Sequence, residues 1–183
     1  MANNADNTAI IPDGILYIGA PGAAAPTGSD FVPATGWTEL GYYSEDGYSL
    51  TPNTPSTTDL IGHNGDTVES TSDGNGTWSL QFGPIETKPL TVETYFDATV
   101  DPVDGSIEVT KASVDTYRSV IAVALAKNGR RIVKHFPKVK VSERDGLTFN
   151  RSSLLMFGMT FQTYLDNTAG YQFKLFDSLL VVE

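Results

Sequence analysis

Apolar residues in this chain recur with a period of two more often than any other. At 77–82 (TWSLQF), Trp78, Leu80 and Phe82 fall on one face and Thr77, Ser79 and Gln81 on the other, the mark of a half-buried strand. At 138–141 the same alternation sets Val139 and Val141 against Lys138 and Lys140, one face packed and one wet. The stretch before it, 119–126, is apolar almost throughout and predicts a strand covered on both faces. Between the two stand Lys127, Asn128, Gly129 and Arg130. Asn-Gly is the strongest short-range hairpin signal and predicts a type I′ turn, with both central residues at positive φ. A helix competes for 114–126, since Ala and Leu favour it. The turn and the alternation beyond it decide for strand.

The rest of the chain reads in the same terms. Short strands are predicted at 14–20, 37–43, 48–51, 106–110 and 147–149, with Ser44, Glu45, Asp46 and Gly47 as a turn. A second Asn-Gly hairpin joins 57–61 to 67–70 across His63, Asn64, Gly65 and Asp66. A last hairpin joins 154–165 to 171–176 across 166–170, with Gly158 marking a bulge or a close backbone approach. Residues 179–183 add an edge or trail off. The Ala/Gly/Pro-rich 21–33 is a loop, and 51–55 (TPNTP) breaks any regular element. The period changes only at 86–98, a helix with Thr87 or Lys88 as cap, Pro89 in its first turn, and Leu90, Val92 and Phe96 on its apolar side. Residues 1–12 are small and polar and read as a flexible arm, leaving 13–183 as one domain. The class is mainly β: a β-sandwich or open barrel of about ten short strands with one short flanking α-helix.

Charge changes this picture. Residues 1–110 hold 16 acidic residues and one basic, Lys88, whereas 111–183 hold 11 basic and 6 acidic. Seven basic residues, Lys127, Arg130, Arg131, Lys134, Lys138, Lys140 and Arg144, cluster around the central hairpin with only Glu143 opposing them. One reading is a solvated strand face. The other is head-to-tail assembly, with this basic face against the acidic surface of the next copy, where Glu45, Asp46 and Asp59 are the candidate loop residues. Nucleic-acid capture fits less well, because the net charge is −10 and only Phe136 interleaves the cluster.

Reactive constellations are absent. With no cysteine there is no disulfide, cysteine–zinc site or thiol nucleophile. Phosphate-loop, dinucleotide, zinc-protease and nucleophile-elbow motifs do not occur. His63 falls in a turn and His135 on a basic strand, and neither has partners for catalysis or metal binding. The acidic turns lack the calcium-loop spacing, and turn-forming aspartates explain them. Trp37, Tyr42, Tyr43, Tyr48 and Trp78 suit a sugar platform or, more simply, core and interface packing. The expectation is a protein with no catalytic, cofactor or metal site. No apolar run reaches the roughly 20 residues of a membrane span, and 1–14 lacks a secretory pattern, so synthesis in a cytoplasm is expected.

The order of parts resembles one family. The strand 77–82 runs straight into ETKPLTVETYF at 86–96. A hairpin arm with a Phe-Pro step follows, RRIVKHFPKVKVS at 130–142, then GLTF at 146–149 and MTFQTYLDNTAGYQFKLFD at 159–177. Together with GWTELGYYSEDGYSL at 36–50, this is similar to the major tail, or tail tube, proteins of long-tailed, siphovirus-type bacteriophages, especially those infecting actinobacteria. The resemblance implies a virion protein that is assembled in the host cytoplasm. It implies hexameric rings stacked into a hollow tube, with loops and arms bridging them, and double-stranded DNA passing through without specific binding. It also implies a tape-measure protein, a tail terminator and a distal tail protein as partners. The acidic bias then suggests a lumen lined by carboxylates and neutral polar side chains of the first 110 residues, with the basic hairpin at subunit contacts. Alternatives are a monomeric carbohydrate-binding or decoration module, a hydrolase using paired carboxylates, and a related secretion-tube protein.

Overall fold

The computed structural model describes residues 8–180. Its centre is the hairpin of β7 (Arg118–Leu125) and β8 (Arg131–Arg144), paired with Val123 opposite Val133 and Ala124 opposite Ile132. Residues 119–124 are all buried, as an apolar run between two neighbours requires. The turn differs from the one expected. The N–H of Gly129 donates to the carbonyl of Ala126 (2.9 Å), and that of Ala126 to Arg130 (2.8 Å). Gly129 has φ 83° while Asn128 stays out of the positive-φ region. This is a three-residue loop with a left-handed glycine at its end, not a type I′ turn. Asn128 contributes its side-chain oxygen, which accepts from the Arg130 N–H at 3.2 Å.

A bulge divides β8. Val120 pairs with Phe136 but Arg118 pairs with Val139, so Ser119 stands opposite both Pro137 and Lys138. Its hydroxyl donates to the Pro137 carbonyl at 2.7 Å. Proline, with no N–H to give a ladder, fits where the ladder lapses. The bulge also reverses the phase of the strand. Phe136 and Val139, three residues apart, enter the same core cluster. Lys134 therefore shares the inner face with Phe136, whereas Lys138 and Lys140 point away from Val139 and Val141.

Around this hairpin the sheet runs β2 (Trp37–Glu39), β1 (Asp13–Gly19), β7, β8, β9 (Met159–Thr163), β6 (Thr77–Pro84), β3 (Tyr43–Asn53), all antiparallel. It curls until its ends approach: a Cβ on Gly14 of β1 would lie 2.3 Å from the hydroxyl of Tyr43 on β3. Leu16, Val120 and Phe136 from one half and Leu80, Phe82 and Phe161 from the other fill the space between as one core. A smaller cluster of Trp37, Ile121, Val123 and Val133 lies on the opposite face of β7–β8. The helix α1 (Pro89–Phe96) packs on the main core. It is shorter than expected, and Lys88 at its N-cap gives no side-chain cap. Leu90, Val92 and Phe96 are only partly buried. The residues sealed against the sheet are Thr91, Thr94 and Tyr95, the threonine hydroxyls being satisfied by the carbonyls of Leu40 (3.2 Å) and Leu90 (2.6 Å).

Other expectations are corrected. The C-terminal hairpin does not form. The 166–170 turn exists, with the Gly170 N–H donating to Asp166 at 2.7 Å. The chain beyond it shifts along β8, so β9 pairs with the second half of β8 and β10 (Lys174–Asp177) with the first half. Residues 106–110 make a single bridge, Ile107 to Val100, and 147–149 form no strand, because neither has a partner strand to complete a ladder. Conversely, β3 runs through both the 44–47 turn, which becomes a bulge between Tyr43 and Tyr48, and Pro52. An edge strand tolerates both, since one side has no ladder to break. Ser178–Leu180 is a 3-10 turn. Of the expected arm, 8–12 is irregular and exposed, tied by the Lys127 N–H donating to Ile10 at 3.0 Å, and 1–7 lies outside the described residues. Likewise 181–183 of the expected C-terminal edge falls outside them.

Candidate assembly surfaces

The second Asn-Gly hairpin, β4 (Thr57–Ile61) and β5 (Thr67–Ser72), forms a two-stranded sheet of its own. It prolongs the β3–β6 ladder, whose last pair is Asn53 with Thr77. Pro55 ends one arm of that ladder just past Asn53, and Gly74 and Gly76, at φ 97° and 66°, interrupt the other. Every residue of β4 and β5 is exposed, including Leu60 (53%), Ile61 (67%) and Val68 (73%). Asp59, Asp66, Glu69 and Asp73 charge it, and 54–87 contains no lysine or arginine. At about 3.3 Å per residue it reaches some 20 Å beyond the sheet. A two-stranded hairpin with no hydrophobic backing is marginal in water, so this one needs a surface to lie on.

The other candidate acidic residues lie elsewhere. Glu45 and Asp46 are exposed on the bulge of β3, across the Pro52–Pro55 kink from Asp59. They rim a groove of about 650 Å³ floored by Tyr48 and Lys134. Burial lowers the pKa of Lys134, whose ammonium sits 5.2 Å from the Tyr48 ring centre, and pushes Tyr48 up to about 12.

The seven basic candidates do not form one face. Lys127 is exposed on the turn. Arg130 clamps Asp177 through two charge-assisted bonds, its Nε donating to Oδ1 at 2.8 Å, and this pairing holds the Asp177 carboxyl below its usual range. Arg131 donates to the Phe31 carbonyl at 2.9 Å. Arg144 donates to the carbonyls of Tyr95 and Ala112. These arginines act as internal struts. Lys138 and Lys140 remain together, with ammonium groups 4.7 and 5.8 Å from the ring centre of Tyr117. Tyr117 meets Tyr164 edge-on at 5.6 Å, and Tyr164 donates from its N–H to Lys138 and from its hydroxyl to Gln162. Neither lysine makes an ion pair within 4 Å among the described residues. Sequence reading missed Tyr117 and Tyr164. They precede β7 and follow β9, and meet only because β9 lies against β8.

Beside this patch the outer face of β9, β6 and β3 is uncharged. Gln162, Ser79, Gln81, Ser49 and Thr51 lie on it, opposite Phe161, Leu80 and Phe82 of the core. Asn53 donates to Ser79 at 2.7 Å, and Gln162 to Thr77 at 3.0 Å, knitting the strands across. The aromatic platform does not assemble: Trp37 is buried in the small cluster, Trp78 packs edge-on to Phe173, and of the five only Tyr42 is largely exposed. His63 is exposed, while His135 is buried against Trp37, its Nδ1 3.1 Å from the Tyr171 hydroxyl. Burial lowers its pKa to about 4, so it stays neutral at ordinary pH.

An antiparallel, curled sheet with a docked helix, an unbacked acidic arm and open strand edges defines a subunit built to associate. A family model described as phage tail tube protein matches residues 1–176, and the chain belongs to that family. It is a structural, non-catalytic protein of the virion tail. A search of curated proteins finds no match.

Proposed function

We propose that copies of this chain close into hexameric rings, and that the rings stack into the hollow tail tube that conducts double-stranded genomic DNA into the host. The observation that supports this most is the β4–β5 arm. It is folded as a hairpin, carries exposed aliphatic residues and has no sheet behind it. The free edge of β3 offers a further site for completion by a neighbour. The uncharged outer face of β3 and β6 suits the wall of the conduit: a polyanion is held by cationic contacts and slides past amides and hydroxyls. The acidic loop at Glu45 and Asp46 adds repulsion near that wall. A tape-measure protein, a tail terminator and a distal tail protein complete the tail in this reading, and residues 1–12 serve as a bridging arm.

The test compares the full chain with a variant in which residues 57–72 are replaced by a short Gly-Ser turn. Sedimentation and negative-stain microscopy across a concentration series are expected to show rings and tubes for the first and folded monomers for the second. A full chain that stays monomeric at high concentration, or an armless chain that still forms tubes, would refute the proposal.

A further inference from the structure

The molecule presents two incomplete surfaces of opposite character, and they complement one another. On the arm Leu60 and Glu69 are cross-strand partners and share one face, Asp59 lies on the other, and the arm has no positive charge of its own. The patch carries Lys138 and Lys140 over Tyr117 and Tyr164, with no carboxylate within ion-pair reach among the described residues. Asp115, which Lys140 reaches only at longer range, is already held by Lys111 at 2.8 Å. Register places the two surfaces at the same end of the sheet. Asn53 and Thr77 form the last pair before the arm, Ser79 pairs with Gln162, and the Tyr164 N–H donates to Lys138.

We infer that the β4–β5 arm of one copy seats on the Tyr117–Tyr164–Lys138–Lys140 patch of a second copy. This rests on the tube reading and names the surface by which the arm acts. The face that carries Leu60 and Glu69 meets the patch, the leucine over the tyrosine rings and the carboxylate between the two ammonium groups. Charges that meet across an interface set register and partner choice. The rival occupant is the DNA phosphate backbone. Two lysines on a chain of net charge −10 make a weak polyanion site, whereas an arm with carboxylates and no cation complements them.

The experiment is a charge exchange read by sedimentation. Lys138→Glu with Lys140→Glu should raise the concentration needed for assembly by at least about tenfold, and Glu69→Lys should raise it as well, while Asp59→Lys on the other face should not. The chain carrying Lys138→Glu, Lys140→Glu and Glu69→Lys together should assemble near the original concentration. Circular dichroism and the monomer's elution volume check that each variant folds, and Lys138→Gln with Lys140→Gln supplies a version without repulsion, expected to weaken assembly less. If the lysine variant and Glu69→Lys both form tubes at the original concentration, or if the triple variant does not recover, the arm does not bind this patch, whatever the wild type does. If the lysine variant alone builds normal tubes and only DNA delivery changes, the occupant is nucleic acid and the inference fails. A wild type that never assembles refutes the tube reading itself, a result distinct from these.

Discussion

The two Asn-Gly hairpins carry the same turn and meet opposite fates. In each, the glycine N–H closes a loop onto the residue three before it: Gly129 onto Ala126 and Gly65 onto Gly62, both at 2.9 Å. In each, the glycine alone adopts positive φ, 83° and 87°. Yet β7–β8 is the buried spine of the sheet, and β4–β5 stands outside it with every residue exposed. The turn decides that two strands pair; it does not decide where the pair goes. Location follows from the flanks. The run RSVIAVAL offers apolar side chains on both faces, whereas TTDLI and TVESTS offer a few aliphatic residues among hydroxyls and carboxylates.

The contrast breaks most sharply under core truncation. Phe136→Ala in the spine removes a fully buried ring and should cost about 3–5 kcal/mol, while Leu60→Ala in the arm should change monomer stability by less than about 0.5 kcal/mol. Urea unfolding of the two monomers measures both, and equal losses would mean that the arm belongs to the folded core.

Acid offers the next effect. His135 on β8 is 2% exposed, with a pKa lowered from 6.5 to about 4 by burial. The unfolded chain therefore binds this proton more readily. Stability is complete above about 6.5 and falls as pH drops toward about 4, by about 3 kcal/mol in all, then levels off with respect to this group. Asp177, whose carboxyl is depressed chiefly by Arg130, contributes in a lower window: its share is present above 3.8 and is lost as pH falls through its folded value. Melting temperature against pH should show the upper slope in the full chain and in the armless chain alike, and His135→Gln should flatten it.

The smallest effect sharpens the comparison at the turn itself. Gly129→Ala forces a side chain into left-handed backbone and should lower global stability by about 1 kcal/mol. Gly65→Ala imposes the same strain but should leave the global melt unchanged, speeding amide exchange only within the arm.

Much of the fold was legible where local pattern and burial agree. The alternation of Trp78, Leu80 and Phe82, the closed run 119–126 and the two turn sites at Gly65 and Gly129 all appear in the structure. Sequence failed where a neighbour overrules the local signal. Pro52 breaks a strand unless that strand lies at an edge. Residues 171–176 look like the return arm of a hairpin until the chain slides along β8 and Phe176 pairs with Val133. His135 reads as one more polar residue on a basic strand, yet β10 and Trp37 bury it. The basic cluster misled in a different way. Seven positive residues close together in sequence become three internal struts, one floor of a groove, one exposed turn residue and a pair. Among the described residues Lys127 also stays exposed, but only the pair sets two positive charges side by side.

The kink opposite Ser119 makes one strand the lining of the molecule on its near half and the coat on its far half. Inside and outside in β8 are therefore settled by a single surplus residue. Restore regular pairing through 137–138 with no residue removed and the frame of that strand slips: Val139 and Val141 would turn to water and Lys138 and Lys140 toward the oily centre. The strand has staked the difference between its core face and its outer face on the place where a proline interrupts the weave.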